Sequence, residues 1–494
     1  MKNIAGKIFR KESLIVLLVL LQVFLLAAVI FIGAKAPFAR AIYCLVTLIC
    51  VFYIVNSGIN PAYKLAWSVT MLLFPVYGGF LWLLMGKKHT ENTIFRQMQP
   101  YFSETARLMP PTEKTEGNAA EYLKRQGFPA CAAEDCRYFS MGEELFSAML
   151  ERARTAKKSI YIEFFIISEG RAWDMLLEIL AEKAAAGVDV RIVIDGAGSL
   201  YTKPAGFIGK LKKLGIDCRE FNPVLPRISG RINFRDHRKL FIVDEKYAFC
   251  GGINVSDEYM NYKERFGVWK DTGFEVGGAA ARSFTLMFLG MWGYLSGKNQ
   301  IPPLSELPQK REKGTVLPFS DAPLDNRAVS LRVYLSLIAE AKETVFITTP
   351  YLICDEEMLG ALCFAARLGR DVRIITPHIP DKKSVNMITK SNYPRLIEAG
   401  VRIFEYRPGF IHAKNLVIDG KTAVVGTVNL DYRSFYLLFE CACIFYGGNV
   451  PEAAQRDFLD TQQRSIEITK EDCKKISSLV KIVRGLLKLY APLM

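Results

Sequence analysis

The sequence predicts an α/β fold in which two duplicated α/β/α halves form one bilobed catalytic unit, preceded by N-terminal transmembrane helices. Three observations support this prediction. Apolar, β-branched stretches alternate with helical stretches through most of the 494 residues, which is typical of strand–helix units around a largely parallel sheet. The same order of stretches occurs twice, and long apolar runs occur near the N-terminus.

The N-terminal region, residues 1–88, is expected to be a membrane anchor with two or three hydrophobic segments. The runs 14–34 and 65–85 each contain 21 uncharged residues, and crossing a bilayer core of about 30 Å takes roughly 20. A third run, 41–55, has 15 residues and is short for a spanning helix. The alternative for the first run is a secretory signal peptide. The apolar core of a signal peptide is only about 7–15 residues long, so we favour anchors.

The net charge of +14 is concentrated beside these apolar runs. Residues 1–88 hold nine Lys and Arg and one acid, Glu12, whereas the rest of the chain carries only +6. This distribution predicts contact with an anionic membrane surface and no nucleic-acid partner, because a nucleic-acid footprint would be a basic stripe on the folded part. The eleven cysteines show no Cys-x-x-Cys spacing. They favour free thiols in a reducing compartment and no structural metal.

An internal repeat organises the remaining sequence. Residues 89–129 are expected to be a linker, 130–310 the first half, and 311–494 the second half. The second half ends in an amphipathic basic stretch, 471–494, for which a helix on the membrane surface and a helix packed on the domain both remain open. A near-constant offset indicates duplication. The offsets are 185, 182, 185 and 175 residues, between Ile160 and Val345, Val190 and Val372, Gly215 and Gly400, and His237 and His412.

Two of the four histidines begin the same phrase, His-x-Lys-x-x-x-x-Asp. An imidazole and an ammonium on alternate residues of a strand point to the same face. Two such pairs suit the breaking and remaking of a phosphodiester through a covalent intermediate. A single copy of this phrase would more often be an ordinary surface strand, but two copies at equivalent positions of a repeat favour a catalytic site. Each copy supplies a histidine, a lysine, an aspartate and, after a strand and a glycine turn, an asparagine: His237, Lys239, Asp244 and Asn254, then His412, Lys414, Asp419 and Asn429.

The duplicated phrase resembles the signature of the phospholipase D superfamily, usually called HKD. One departure is Thr427, which stands where serine is usual. Within the superfamily the chain is similar to bacterial cardiolipin synthases over about residues 58–494, and residues 1–57 fall outside the two-anchor pattern of many members. Four stretches carry this second likeness: 60–67 (NPAYKLAW), 233–239 (NFRDHRK), 429–434 (NLDYRS) and 489–494 (LYAPLM).

The resemblance implies two phospholipase D-like halves and a phosphatidyl transferase. Such an enzyme moves a phosphatidyl group from one phosphatidylglycerol to another through a phosphatidyl-histidine, giving cardiolipin and glycerol. No cofactor and no metal are expected. By resemblance His237 is the nucleophile and His412 the acid and base, although the sequence alone leaves this order open. Lys239 and Lys414 would neutralise the phosphate.

The remaining site residues are expected to support this chemistry. Asn254 and Asn429 would donate hydrogen bonds to phosphate oxygens. Asp271 and Glu440 are the candidates for the carboxylates that set the imidazole tautomers. In the superfamily the aspartates of the phrase, Asp244 and Asp419, tend to support the fold. Glu163 and Tyr351 begin loops after equivalent strands and are candidates for the substrate side, and His378 is interpreted as a loop residue.

Three other functions and two topologies remain as alternatives. A membrane-bound phospholipase D would use the same residues with water as acceptor. A nucleic-acid phosphodiesterase and a non-enzymatic scaffold are disfavoured by the anchors and by the intact motifs. The basic N-terminal tail favours a cytoplasmic N-terminus in a multi-pass protein of the bacterial cell membrane. Three crossings would place the catalytic half outside. A re-entrant hairpin would keep it in the cytoplasm, which the cysteines favour. The oligomeric state stays open.

Overall fold

The computed structural model describes residues 37–75, 78–79, 81–82, 87–224, 233–304, 312–325 and 327–493. The chain divides into two compact units. The larger comprises His89–Arg227 and Arg231–Leu487 and contains both halves of the repeat. The smaller contains the N-terminal region to Lys88 and the C-terminal residues from Lys488.

The described helices are numbered in chain order. They are α1 (Pro37–Val55), α2 (Pro61–Leu73), α3 (Lys87–Arg107), α4 (Asn118–Arg125), α5 (Gly142–Thr155), α6 (Arg171–Ala185), α7 (Phe207–Lys213), α8 (Gly278–Ser296), α9 (Val329–Glu340), α10 (Glu356–Arg367), α11 (Lys383–Glu398), α12 (Tyr432–Tyr436), α13 (Asn449–Gln463), α14 (Lys470–Lys474) and α15 (Ser478–Leu489).

The strands of the first half are β1 (Cys131–Ala132), β2 (Arg137–Phe139), β3 (Ser159–Phe164), β4 (Asp189–Asp195), β5 (Asp217–Phe221), β6 (Arg235–Asp236), β7 (Leu240–Val243), β8 (Tyr247–Gly251) and β9 (Gly273–Gly277). Those of the second half are β10 (Thr315–Asp321), β11 (Thr344–Thr348), β12 (Leu352–Ile353), β13 (Asp371–Pro377), β14 (Arg402–Tyr406), β15 (Asn415–Ile418), β16 (Thr422–Gly426), β17 (Leu430–Asp431), β18 (Leu438–Tyr446) and β19 (Ser465–Ile468).

The predicted duplication is present in the sheet topology. The first sheet contains the order β9-β8-β7-β3-β4-β5, and the second contains the matching order β18-β16-β15-β11-β13-β14. In both sheets the last three strands are parallel, as expected from their helical crossovers. The first three are antiparallel, because short connections such as the turn from β7 to β8 cannot support parallel pairing. The sheets are therefore mixed rather than largely parallel.

Each sheet is covered on both faces, and its central strand shows why. In β3, Ile160 and Ile162 join the apolar core that includes α5 and α6. Tyr161, pointing to the opposite face, stacks on Phe288 of α8 with ring centroids 5.0 Å apart. The equivalent strand β11 repeats this arrangement, since Phe346 stacks on Phe458 of α13 at 4.7 Å. Alternation along one buried strand thus produces the α/β/α layers of each half.

The segment 89–129, expected to be a linker, contains most of α3 and all of α4. Ala119, Ala120 and Leu123 of α4 are buried in the core of the second half, which includes residues of α9. Three small or apolar residues on one helical face explain why this stretch folds rather than remaining extended. The boundary expected at 310/311 lies outside the described residues.

Of the three N-terminal apolar runs, 41–55 lies in α1 and 65–85 is described in part, whereas 14–34 is outside the described residues. Among the helices that the structure describes, none is both long enough and apolar enough to cross a membrane.

Candidate active site

The two histidines are brought together because each half places its histidine segment against a strand of the other half. β6, just before His237, pairs in parallel with the start of β18. The backbone N–H of His237 donates to the carbonyl of Phe439 at 2.9 Å. In the mirrored position Ile411 bridges Lys270, and the N–H of His412 donates to the Lys270 carbonyl at 2.7 Å. These exchanged segments fix both imidazoles at one junction.

Each imidazole is held by a carboxylate from the opposite half. The Nδ1 of His237 lies 2.9 and 3.0 Å from the two carboxylate oxygens of Glu440. The Nδ1 of His412 lies 2.7 Å from Oδ2 of Asp271. Both carboxylates are fully buried. An Nδ1–H that donates to a carboxylate leaves Nε2 as the free nitrogen, so both predicted carboxylates are in place to set the tautomer.

The two carboxylates are stabilised by different groups. Ser434 donates its hydroxyl to Glu440 at 2.7 Å, and Thr427 donates to the other oxygen of the same carboxylate. Asp271 accepts the backbone N–H of Thr272 at 2.9 Å. At Gly252, the position equivalent to Thr427, an added Cβ would collide with the Asp271 carboxylate. Glycine here therefore makes room for the carboxylate rather than for phosphate.

Lys239 and Lys414 are buried against their own histidines. The Nζ of Lys239 donates to the carbonyl of His237 at 2.7 Å. The Nζ of Lys414 donates to the carbonyl of His412 and lies 2.9 Å from its Nδ1. Both lysines are 1 % exposed. Neither is among the side chains that line the pocket described below, so what they offer to a group bound there is their charge and not a direct contact.

Burial and the close cations set the protonation of these groups. Burial, reinforced by Lys239 and Lys414, lowers the pKa of His237 well below its ordinary value. Burial and Lys414 lower the pKa of His412 to about 4, although Asp271 opposes them. Burial also lowers the pKa of Lys239 to about 8 and that of Lys414 to about 7. At neutral pH the imidazoles are therefore neutral, as a nucleophile and a base must be.

The pKa values of the two carboxylates are shifted in opposite directions. Burial alone would raise the pKa of Asp271, but His412 and Lys414 outweigh it and hold that pKa below the ordinary value. Burial raises the pKa of Glu440 well above its ordinary value, against the opposing charge of Lys239. Asp271, the carboxylate beside His412, is consequently more readily ionised than Glu440, the carboxylate beside His237.

Both histidines line a pocket of about 340 Å³. One part of its wall is aromatic, and the ring of His412 lies 5.4 to 5.8 Å from those of Tyr259, Trp269 and Phe410. Another part is cationic, and sequence reasoning did not identify these cations. Arg235 and Arg433 lay only within quoted family stretches, and nothing in the sequence pattern indicated Arg265 or Lys382. The lining cations are Arg235, Arg265, Lys382 and Arg433.

The two asparagines line this pocket but differ in their contacts. Asn254 accepts from the backbone N–H of Ile166 at 3.0 Å and donates to the Tyr259 hydroxyl at 2.8 Å, so its amide is occupied by protein groups. The Asn429 amide oxygen is buried and has no hydrogen-bond partner among the described residues. This open atom is an acceptor, whereas the contact expected with phosphate oxygens requires an N–H donor.

The aspartates of the two phrases support the fold. Asp244 accepts backbone N–H groups of Lys157, Lys158 and Ser159 at 2.6 to 3.1 Å. Asp419 accepts those of residues 342–344 at 2.8 to 2.9 Å. Both follow the far ends of strands β7 and β15, roughly 13 Å of strand from the histidines. They are thus placed for anchoring the preceding loops and not for chemistry.

Three further candidates take separate positions. Tyr351 lines the pocket and donates its hydroxyl to Asp381 at 2.6 Å. Glu163 is buried behind the site, where Arg238 donates to it at 2.6 Å. His378 is paired with Glu405 at 2.9 Å and is not part of the pocket lining. In the described part of the chain, no group of three or more His, Cys, Asp and Glu side chains is arranged to hold a metal ion.

Comparison with known proteins gives concordant family assignments. The family described as "Cardiolipin synthase, PLD-like domain" matches residues 149–289 and 334–461, and "Phospholipase_D-nuclease N-terminal" matches 45–87. A cardiolipin synthase of Geobacillus sp. (strain WCH70) is 34 % identical, covering 92 % of this chain and 93 % of its own. An uncharacterized protein of Streptococcus mutans is 39 % identical, covering 90 % and 99 %.

Among solved structures, the phosphatidylserine synthase of Haemophilus influenzae Rd KW20 has the same fold. Its TM-score is 0.59 at 16 % identity, with 76 % of this chain and 97 % of that chain covered.

Proposed function

This chain belongs to the cardiolipin synthase family of the phospholipase D superfamily, and we propose that it transfers a phosphatidyl group between two phosphatidylglycerol molecules, giving cardiolipin and glycerol. The observation that carries the proposal is the pair of imidazoles at one pocket, each with its Nδ1 on a buried carboxylate. Two such groups supply one nucleophile and one acid and base, which a two-step displacement requires.

In the first step the Nε2 of His237 attacks phosphorus of one phosphatidylglycerol. The phosphorus–oxygen bond to the glycerol head group breaks, and Nε2 of His412 gives that oxygen a proton. In the second step a hydroxyl of another phosphatidylglycerol loses its proton to His412 and attacks the phosphatidyl-His237, which restores the free histidine. The order is supported by Asp271, because an ionised carboxylate stabilises the imidazolium that an acid and base must form.

Charge at the pocket provides the electrostatic part of this reaction. Arg433 lines the wall beside His237 and is placed to meet anionic phosphate. Arg235, whose guanidinium donates to the Asn222 carbonyl and pairs with Asp195, adds positive charge nearby. Lys239 and Lys414 lie within the protein, where low dielectric strengthens their effect on developing charge. An anionic phosphate entering beside these cations also raises the imidazole pKa, which lets His412 carry the proton it must deliver.

Transfer rather than hydrolysis is supported by the aromatic wall. Tyr259, Trp269 and Phe410 surround His412, the group that activates the acceptor. An apolar surface at this point disfavours water and can pack against a lipid-borne alcohol. A phospholipase D would need the same step to accept water, so the identity of the second product separates the two functions.

We propose that the N-terminal region anchors this enzyme in the bacterial membrane as a multi-pass segment, with the catalytic halves in the cytoplasm. The uncharged runs 14–34 and 65–85 and their basic flanks support the anchor. All eleven cysteines are free thiols, which supports a reducing compartment.

The proposal is tested by product analysis of the full chain in membranes supplied with phosphatidylglycerol labelled in the head group and in one acyl chain. Cardiolipin plus free glycerol is the expected result, and both should disappear in His237→Ala and in His412→Ala. His378→Ala is the matched control, because this histidine also contacts a carboxylate but lies outside the pocket lining. Phosphatidic acid plus glycerol without cardiolipin would instead identify a phospholipase D.

A further inference from the structure

The C-terminal helix α15, Ser478–Leu489, exposes its apolar face. Leu479, Ile482 and Leu486 are 69, 61 and 59 % exposed, and Val483 is 36 % exposed. These four positions follow the spacing i, i+3, i+4, i+7, so they form one continuous stripe. No residue of α15 is buried. Helix α13, by contrast, packs its apolar stripe against the protein, where Val450, Ala454 and Phe458 are buried.

The polar residues of α15 lie away from this stripe. Lys481 and Lys488 are about 150° or more around the helix from its centre, at 100° per residue. Two further lysines, Lys474 and Lys475, come just before the helix and are exposed. A helix with an apolar stripe on one side and lysines on the other has the pattern of helices that lie in the plane of a membrane interface.

The end of the helix leads directly to the apolar N-terminal unit. After α15, the turn Ala491–Leu493 packs against α2, Pro61–Leu73, within the smaller unit, and Ala491 is only 4 % exposed. In this unit α2 itself exposes Leu65, Leu72 and Leu73 by 57, 56 and 54 %. The residues after α15 therefore pack on a helix that exposes apolar side chains of its own.

We propose that the apolar stripe of α15 (Leu479, Ile482, Val483 and Leu486) docks into the interface of a bilayer that contains anionic lipid. A second protein chain fits less well. Twelve residues of helix are roughly 18 Å long, and one four-residue stripe supplies well under the roughly 800 Å² per partner of a stable protein interface. The lysines match anionic head groups, whose attraction to basic helices adds to apolar burial. The sequence left open whether this helix lies on the membrane surface or packs on the domain, and exposure of the whole stripe favours the membrane surface.

The test uses the full chain in vesicles of phosphatidylglycerol and phosphatidylcholine, with single fluorescent labels on α15. The background replaces the three cysteines that are not buried, Cys44, Cys50 and Cys473, with serine. Ile482→Cys places an environment-sensitive dye on the stripe. Lys481→Cys is the matched control, one residue away and about 150° around the helix from the centre of the stripe.

We expect the dye at 482 to shift to the blue and to be quenched several-fold more than the dye at 481 by a nitroxide on the upper acyl chain. The difference should shrink in vesicles of phosphatidylcholine alone. Equal, water-like emission at both sites would overturn the proposal. So would a shielded dye at 482 that the lipid nitroxide does not quench, since that pattern indicates a protein partner. The inference rests on the proposed function only in the choice of an anionic lipid. Because no turnover is measured, its failure is distinguishable from failure of the reaction.

Discussion

Replacing Asp271 by asparagine should reverse the tautomer of His412. The Oδ1 atom of Asp271 accepts the Thr272 N–H at 2.9 Å, while Oδ2 lies 2.7 Å from Nδ1 of His412. In Asp271→Asn the amide oxygen must remain at the Oδ1 position to accept that N–H, which puts the amide NH₂ against Nδ1. The amide then donates to Nδ1, the ring proton moves to Nε2, and the nitrogen that must act as base has no lone pair.

The size of the effect follows from the same geometry. Asparagine in place of a buried carboxylate on a catalytic imidazole costs about 10⁴ in kcat in a serine protease, which corresponds to roughly 5.5 kcal/mol. Asp271 is equally buried and close, so we expect a loss of about 10³ to 10⁴ in the rate of cardiolipin formation. The assay is release of labelled glycerol at saturating phosphatidylglycerol, with unfolding followed separately.

Asp244→Asn is the matched control. It makes the same chemical change in a motif aspartate that accepts backbone N–H groups and is not among the residues that line the pocket. It should lower the free energy of unfolding by about 1–3 kcal/mol, while the folded enzyme keeps its kcat. If Asp271→Asn retained activity within about tenfold of wild type, the carboxylate would not be setting the tautomer and the reasoning would be refuted.

Three other results are expected. In double-mutant cycles of the free energy of unfolding, Glu440→Gln should couple strongly to His237→Ala and less to His412→Ala, because Glu440 contacts His237; equal coupling to both would contradict the crossed pairing. Wild-type enzyme denatured at neutral pH during turnover of labelled phosphatidylglycerol should carry an acid-labile phosphatidyl group on His237, and its detection by mass spectrometry on any other residue would reassign the nucleophile. The value of kcat/KM should fall as pH rises above about 7, since the Lys414 ammonium loses its proton there. Lys414→Arg should move this alkaline limb up to about pH 8, where Lys239 loses its proton, even if it lowers the rate, and an unchanged limb would point to another group.

Much of the fold could be predicted because the repeated segments consist of residues with strong preferences for strand or helix. Two landmark pairs lie in equivalent strands of the two sheets, in β3 and β11 and in β4 and β13, and the glycine and histidine pairs precede equivalent strands. The sequence pattern could not predict which segments pair with strands of the other half. β1 pairs with β10 and β6 with β18, and each pairing is only two residues long. Strands this short contain no periodicity, so only tertiary contacts determine their partners.

At the site, residue types were predictable and their partners were not. The motif itself identifies His237 and His412, and a polar residue in an apolar strand after each glycine turn identifies Asp271 and Glu440. The sequence does not indicate that each histidine contacts a carboxylate of the other half, because this pairing depends on how the two sheets pack together. For the same reason Asn254 looked like a phosphate ligand, although the structure gives its amide to Ile166 and Tyr259.

The crossing also explains why a duplicated motif does not make two equivalent sites. Neither half contains both an imidazole and its carboxylate, so the halves can only act as one unit, and their equivalent positions are free to diverge. At the position after the glycine, the first half keeps Gly252 to admit the short Asp271, whereas the second half has Thr427, whose hydroxyl holds the longer Glu440. The aspartate is thereby left beside cations with its pKa lowered, and the glutamate has its pKa raised by burial. His412 thus lies beside an ionised carboxylate, which suits its proposed part as acid and base, whereas the carboxylate beside His237 is less readily ionised.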